Sequence, residues 1–278
     1  MLLAPADRWE NALIVASILG LIVGVILALT GAGGGILAVP LLVFGAGLGV
    51  AEAGPIGLLA VGMAAALGAV LGLKAGVVRY KASMLIAGTG MLASPLGVWL
   101  AHSMDHRWLT GIFGIVLLFV AFKTFVQARD RRVGDDSAAA KAPPCVRSPA
   151  TGRFIWTMPC ARALGLSGAF TGALSGLLGV GGGFVMVPAL TRFTDLEMKS
   201  VVATSLAVIA FISVAGVAAS ALAGKVEWVV ALPFSAGALA GMAGGRLIAA
   251  RLAGAHLQRS FALVAGGVSI MMLAKALV

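Results

Sequence analysis

Charge is what this chain has least of. Asp, Glu, Lys and Arg make up 11% of its 278 residues, and from residue 11 to residue 73 the only charged side chain is Glu52. With 60% hydrophobic residues and a mean hydropathy of +1.07, the chain holds more apolar surface than a soluble core can hide. It reads as an all-α polytopic membrane protein. Further uncharged runs cover 82–104, 108–122, 163–191, 200–224, 228–245 and 260–274. A bilayer core takes about 20 apolar residues per helix, so these runs supply six ordinary spans and two elements broken by glycine.

Other absences narrow the function. The membrane-depth stretches offer no Asp, Glu, His or Cys that could converge on a reaction centre, which argues against an enzyme and against a cofactor. They also offer no carboxylate in the middle of a span for proton or sodium coupling. There are two cysteines, Cys145 and Cys160, without zinc-ligand spacing, and they are expected as solvent-facing thiols in a polar loop. His102 and His106 stand beside Asp105 and Arg107, so they read as a surface loop rather than a metal site. Asp7, Arg8 and Glu10 do not make the positive start of a cleavable signal, and the first apolar run is expected to be retained. The net charge of +10 comes from basic residues flanking spans, which excludes nucleic acid as the expected partner.

What the chain does have is glycine in clusters. Gly31-Ala32-Gly33-Gly34-Gly35 precedes Ile36-Leu37-Ala38-Val39-Pro40, and Gly179-Val180-Gly181-Gly182-Gly183 precedes Phe184-Val185-Met186-Val187-Pro188. Each Gly costs a helix roughly 1 kcal/mol relative to Ala, so a packed cluster inside an apolar run marks a break. The two copies lie 148 residues apart, and the register continues through Gly20/Gly168, Gly24/Gly172, Leu42/Leu190, Gly68/Gly216, Gly76/Gly224, Gly97/Gly245 and Phe113/Phe261. Two homologous halves follow, 1–127 and 163–278, joined by a linker, 128–162.

The linker carries Arg129, Arg131, Arg132, Lys141, Arg147, Arg153 and Arg162 and reads as a basic cytoplasmic loop. Two more basic clusters, Lys74/Arg79/Lys81 and Arg246/Arg251/Arg259, read as loops and should share its side. Eight plain crossings would put the second cluster opposite the linker. If each broken element instead enters and leaves on one side as a re-entrant hairpin, all three are cytoplasmic. Each half then holds one hairpin and three crossings, and the halves are inverted.

A helix restarting near Ile36 or Phe184 presents unpaired amides and a positive dipole end to the break, which suits an anion. Gly33, Gly34, Gly35, Gly181, Gly182 and Gly183 let a ligand approach the backbone, and Pro40 and Pro188 stand near the helix starts. Thr30, Ser175, Thr204 and Ser205 are the nearest hydroxyl donors. Isolated glycines such as Gly62, Gly68 and Gly216 read instead as helix-packing positions.

The doubled Gly-x-Gly-Gly-Gly-x-x-x-Val-Pro element resembles the TauE/SafE family, also called the sulfite exporter family. Ala203-Thr204-Ser205-Leu206 resembles a segment that often follows the motif there; the first half has Pro55, Ile56 and Gly57 at the matching places. The resemblance implies export of small sulfur-containing anions such as sulfite, sulfoacetate or other organosulfonates across a bacterial inner membrane. An anion-selective channel, or a carrier of another small organic anion, is the alternative. The expected partners are that anion, the lipid bilayer and, as an open possibility, a second copy in a homodimer.

Overall fold

The computed structural model describes residues 5–130, 144–145, 156–252 and 255–277. Most of the basic linker lies outside them. Ten α-helices occupy the described residues, with no strand among them. They are α1 (Pro5–Thr30), α2 (Ala38–Gly45), α3 (Val50–Lys74), α4 (Tyr80–Ser103), α5 (His106–Asp130), α6 (Met158–Leu178), α7 (Gly183–Phe193), α8 (Met198–Leu222), α9 (Trp228–Leu252) and α10 (Ala255–Leu277). Six of them carry a stretch long and apolar enough to cross a bilayer. Large apolar side chains face outward, among them Leu92, Trp99, Phe119, Phe122, Phe170 and Leu247, as lipid contact requires. Helices α5 and α6 reach into the two ends of the stretch assigned to the linker.

The 148-residue repeat recurs in the helices. Helix α8 is α3 displaced by that register, and both end alike. Ala75 and Ala223 close the last turn, and Gly76 and Gly224 follow with φ of +69° and +65°. The Val77 amide then bonds the Gly72 carbonyl at 3.2 Å, and the Lys225 amide bonds Ser220 at 3.0 Å, an exit that spares buried carbonyls. At the other end of α3, Glu52 accepts a hydrogen bond from the Gly49 amide at 2.9 Å. The one charge in the first long apolar run is therefore a helix cap.

Helices α3 and α8 are the most enclosed and form the centre. A Cβ at Gly62 would stand 2.6 Å from that of Ser213, one at Gly68 2.8 Å from Leu206, and one at Gly72 3.0 Å from Ala203. Residue numbers rise on one helix as they fall on the other, so the two run antiparallel. Helices α5 and α10 do too, with Gly114 beside Leu273 and Gly111 beside Ala276. Helices α4 and α6 run parallel along a seam of small residues, with Gly168 against Ile86, Gly172 against Gly90 and Gly176 against Ser94. Helices α1 and α9 form the equivalent parallel pair through Gly20 and Phe234, Gly24 and Ala238, and Gly241 and Leu21. At these seams a side chain would overlap the neighbouring backbone, which is how small residues let apolar helices bind closely in lipid.

The short helices double back. Gly34 packs on Leu27 and Gly45 on Leu19, so the chain retraces α1 as it advances through α2. In the second half Gly182 packs on Thr171, and the far end of α7 lies at the start of α6. There the Cys145 amide bonds the Phe193 carbonyl at 3.1 Å while Cys145 is joined to Cys160 by a disulfide.

That disulfide corrects the expectation of two solvent-facing thiols. Both cysteines are fully buried, beside Leu164, Met186 and Leu190. A second correction concerns Arg246, expected in a loop. It lies in the penultimate turns of α9, and its Nη1 donates to the Gly68 carbonyl of α3 at 3.3 Å. A long stem lets the guanidinium reach a polar partner from within an apolar helix. The loop expected around His102 and His106 is also shorter than expected: His102 lies in the last turn of α4, its Nδ1 2.8 Å from the Val98 carbonyl, and α5 opens at His106.

Candidate functional site

The two glycine breaks meet between the middles of α3 and α8. Val61 of α3 touches both: its Cγ1 is 2.9 Å from the place of a Cβ on Gly35 and 3.1 Å from that on Gly181. Ile209, the repeat mate of Val61, stands 2.8 Å from the latter. The Gly35 position is 3.0 Å from the Val180 carbonyl, so the breaks also contact each other. Residues 34–40 and 178–184 are buried throughout.

The breaks differ in backbone. Residues 31–37 wind as a tight 3-10 segment between α1 and α2, and none of their glycines has positive φ. Its amides bond carbonyls three residues back, as the Ala38 amide does to Gly35. In the second break Gly179, Gly181 and Gly182 have φ of +71°, +75° and +69°, a left-handed region costly to other residues. Helix α7 therefore starts abruptly at Gly183, behind Gly182 and with no side-chain cap on its first amides. Its positive end faces the point where the breaks meet.

The residues singled out from the sequence fall into three groups. Gly34, Gly35 and Ile36 line the first break and Gly181, Gly182, Gly183 and Phe184 the second, all of them buried; Gly33 lies in the 3-10 segment. Thr30 and Ser175 flank the breaks. The Thr30 hydroxyl donates to the Ile26 carbonyl at 2.7 Å, whereas the Ser175 Oγ is buried with no hydrogen-bond partner. Thr204 and Ser205 sit nearer the start of α8. The Thr204 Oγ1 accepts from the Arg79 amide at 3.1 Å, joining α8 to the start of α4, and the Ser205 hydroxyl donates to the Val202 carbonyl at 2.8 Å. Pro40 is in the first turn of α2. Pro188 lies deeper, in the middle of α7, where it removes the amide that would bond the Phe184 carbonyl.

Ser213 was not among them. It is 3% exposed, its Oγ has no hydrogen-bond partner, and it stands 3.6 Å from the place of a Cβ on Gly181. The signal available in the sequence was a break in the repeat: Ser213 stands where the first half has Ala65.

The fold and the paired breaks define a multi-pass helical membrane protein with a doubled, glycine-broken centre. The family model for the sulfite exporter TauE/SafE matches residues 16–272, and the chain belongs to that family. A probable membrane transporter protein of Xylella fastidiosa strain 9a5c is 30% identical over 264 residues, 94% of each chain. The probable membrane transporter protein YunE of Bacillus subtilis is 29% identical over 246 residues, covering 85% of this chain and 87% of its own. A further relative, also called a probable membrane transporter protein, comes from Methanocaldococcus jannaschii and is 30% identical over 205 residues, 72% of this chain and 68% of its own. No solved structure matches the chain. The protein is thus a membrane transporter of the TauE/SafE family.

Proposed function

We propose that the protein exports small sulfur-containing oxyanions, sulfite or organosulfonates such as sulfoacetate, across a bacterial inner membrane. The observation that carries this is the meeting of two backbone breaks between α3 and α8, with Gly35 on Val180 and Val61 touching both. A helix end and glycine backbone bind the shared part of these substrates, an anionic head of several oxygens.

The observed helix directions support two inverted halves, each opened by a re-entrant hairpin. If α1 with α2, and α6 with α7, each enter and leave on one face, then α3 opposes α8 and α5 opposes α10. Helices α1 and α9 run alike, as do α4 and α6. Plain crossings would make α3 and α8 parallel. The basic clusters then share the linker's side, which positive loops assign to the cytoplasm. The same side carries the Cys145–Cys160 disulfide, and disulfides are rare in the cytosol. Both sulfurs belong to fully buried residues, so the bond is shielded from the thiols of that compartment.

Because the breaks are buried, passage requires one half to rock against the other around them, opening first one side and then the other. An outgoing negative charge gains about 2.3 kcal/mol per 100 mV when the cytoplasm is negative, so no coupling ion is needed to drive export. Proteoliposomes with an imposed potential test this. Saturable movement of sulfite or sulfoacetate, ahead of chloride, is expected, and Gly182→Val should abolish it in inserted protein, since that side chain would meet Thr171. Non-saturating flux that includes chloride would establish a channel instead. No movement of any sulfur anion would overturn the substrate assignment.

A further inference from the structure

We infer that the anion is held at one break only, the second, by the uncapped start of α7 together with the hydroxyls of Ser175 and Ser213. This rests on the transport reading above and adds to it a place, a set of donors and an asymmetry between the halves.

Serines in apolar helices ordinarily satisfy themselves by donating to a carbonyl one turn back. Ser17, Ser83, Ser167, Ser205, Ser220 and Ser269 all do so here. Ser175 and Ser213 do not. They are 0% and 3% exposed, and neither Oγ has a partner. Both flank the second break: Ser213 Oγ lies 3.6 Å from the place of a Cβ on Gly181, and Ser175 Cβ lies 3.4 Å from that on Gly182. A buried hydroxyl left unpaired is unusual enough to require an explanation, and a bound acceptor supplies one. Ser94 continues the polar seam. It is also buried and unpartnered, and its Oγ is 3.0 Å from the place of a Cβ on Gly216, one turn along α8 from Ser213.

The repeat supplies the contrast. At the positions equivalent to Ser175, Ser213 and Ser94 stand Leu27, Ala65 and Met242, all buried. The first break therefore offers apolar side chains where the second offers hydroxyls. The first break also winds on through a 3-10 segment, whereas the second restarts a helix at Gly183 behind a left-handed Gly182, with no side-chain cap. A pair of hydroxyls beside a helix start fits a ligand with two or more acceptor oxygens on one centre. A halide presents a single sphere and gains less from such a spread of donors. In this arrangement the first break acts as the apolar wall that closes over the bound anion.

The test uses the full-length protein in proteoliposomes, with sulfite flux measured against concentration and chloride as the comparison. Ser175→Ala and Ser213→Ala should each raise the half-saturating sulfite concentration about tenfold or more, the loss expected for one hydrogen bond to a charged ligand. Ser213→Thr keeps the hydroxyl and should stay close to the parent. Ser235→Ala is the control, since Ser235 is equally buried and unpartnered but lies on α9. If the parent saturates with sulfite and both alanine variants match it, the one-sided site is wrong while the transport reading stands. If Ser235→Ala weakens sulfite as much as they do, a general packing effect replaces the site. If the parent moves no sulfur oxyanion, the transport reading fails and this inference goes with it.

Discussion

Replacing Gly179 and Gly224 with alanine, one at a time, separates two costs. Gly179 and Gly224 both have left-handed backbone, with φ of +71° and +65°. At Gly224 a methyl would meet nothing within 4 Å, so Gly224→Ala pays only for the conformation, about 1–2 kcal/mol. At Gly179 the methyl would overlap the Gly54 Cα and stand 2.6 Å from the Gly54 carbonyl oxygen, both backbone atoms of α3. Backbone cannot swing aside as a side-chain end can, so overpacking adds about 1–3 kcal/mol. The sum is roughly 2–5 kcal/mol for Gly179→Ala. Thermal unfolding of the purified protein in one detergent, followed by tryptophan fluorescence, gives the comparison directly. Gly76→Ala, the repeat mate of Gly224→Ala and equally open, should fall with the smaller group. Equal losses for Gly179→Ala and Gly224→Ala would refute the packing of the second break on α3, and with it the geometry of the candidate site.

Three further outcomes are expected. Removing the disulfide as the double variant Cys145→Ala/Cys160→Ala should lower stability by about 3 kcal/mol, the value for closing a loop of this length; in non-reducing electrophoresis a thiol-reactive mass tag should leave the parent unshifted. A cysteine at Lys225 should react with an impermeant maleimide from outside intact cells, whereas one at Ala75 should not. Labelling of both from the same side would restore plain crossings. Glu52→Gln should cost about 1 kcal/mol through the weakened cap on the Gly49 amide, measured by the same thermal assay.

The helical class and the repeat were legible because both are written in patterns that survive without contacts. Scarce charge delimits the spans, and glycine clusters recur at a constant offset. The helix pairing was not legible. That Gly172 meets Gly90 rather than some other small residue depends on which seams close together, and small residues are spread over nearly every span. Cys145 and Cys160 lie 15 apart in a polar stretch, a spacing that fits a loop thiol as well as a bond. Only the return of α7 to the start of α6 brings Phe193 to Cys145 and encloses both sulfurs. Arg246 sits next to a glycine pair near a basic run and so reads as loop. The helix instead continues through it, and its guanidinium reaches the Gly68 carbonyl of α3.

The site shows the same division. Glycines announce a break from the sequence, since little else explains them inside an apolar helix. They do not say which break presents donors, for the two clusters differ by a few residues and are followed alike by Val-Pro. The difference arises in the backbone, where one cluster winds through as 3-10 turns and the other turns left-handed at three glycines and restarts a helix. It is reinforced by side chains one helix away, where Ser213 replaces Ala65 and Ser175 replaces Leu27. A repeat kept in register supplies a frame in which such replacements stand out, because equal packing would ask for equal residues. Departures toward polarity at a buried position cost stability unless something pairs with them. On the proposed reading that partner is the cargo, present for part of each cycle, and the cost of the unpaired hydroxyls becomes binding energy for the anion.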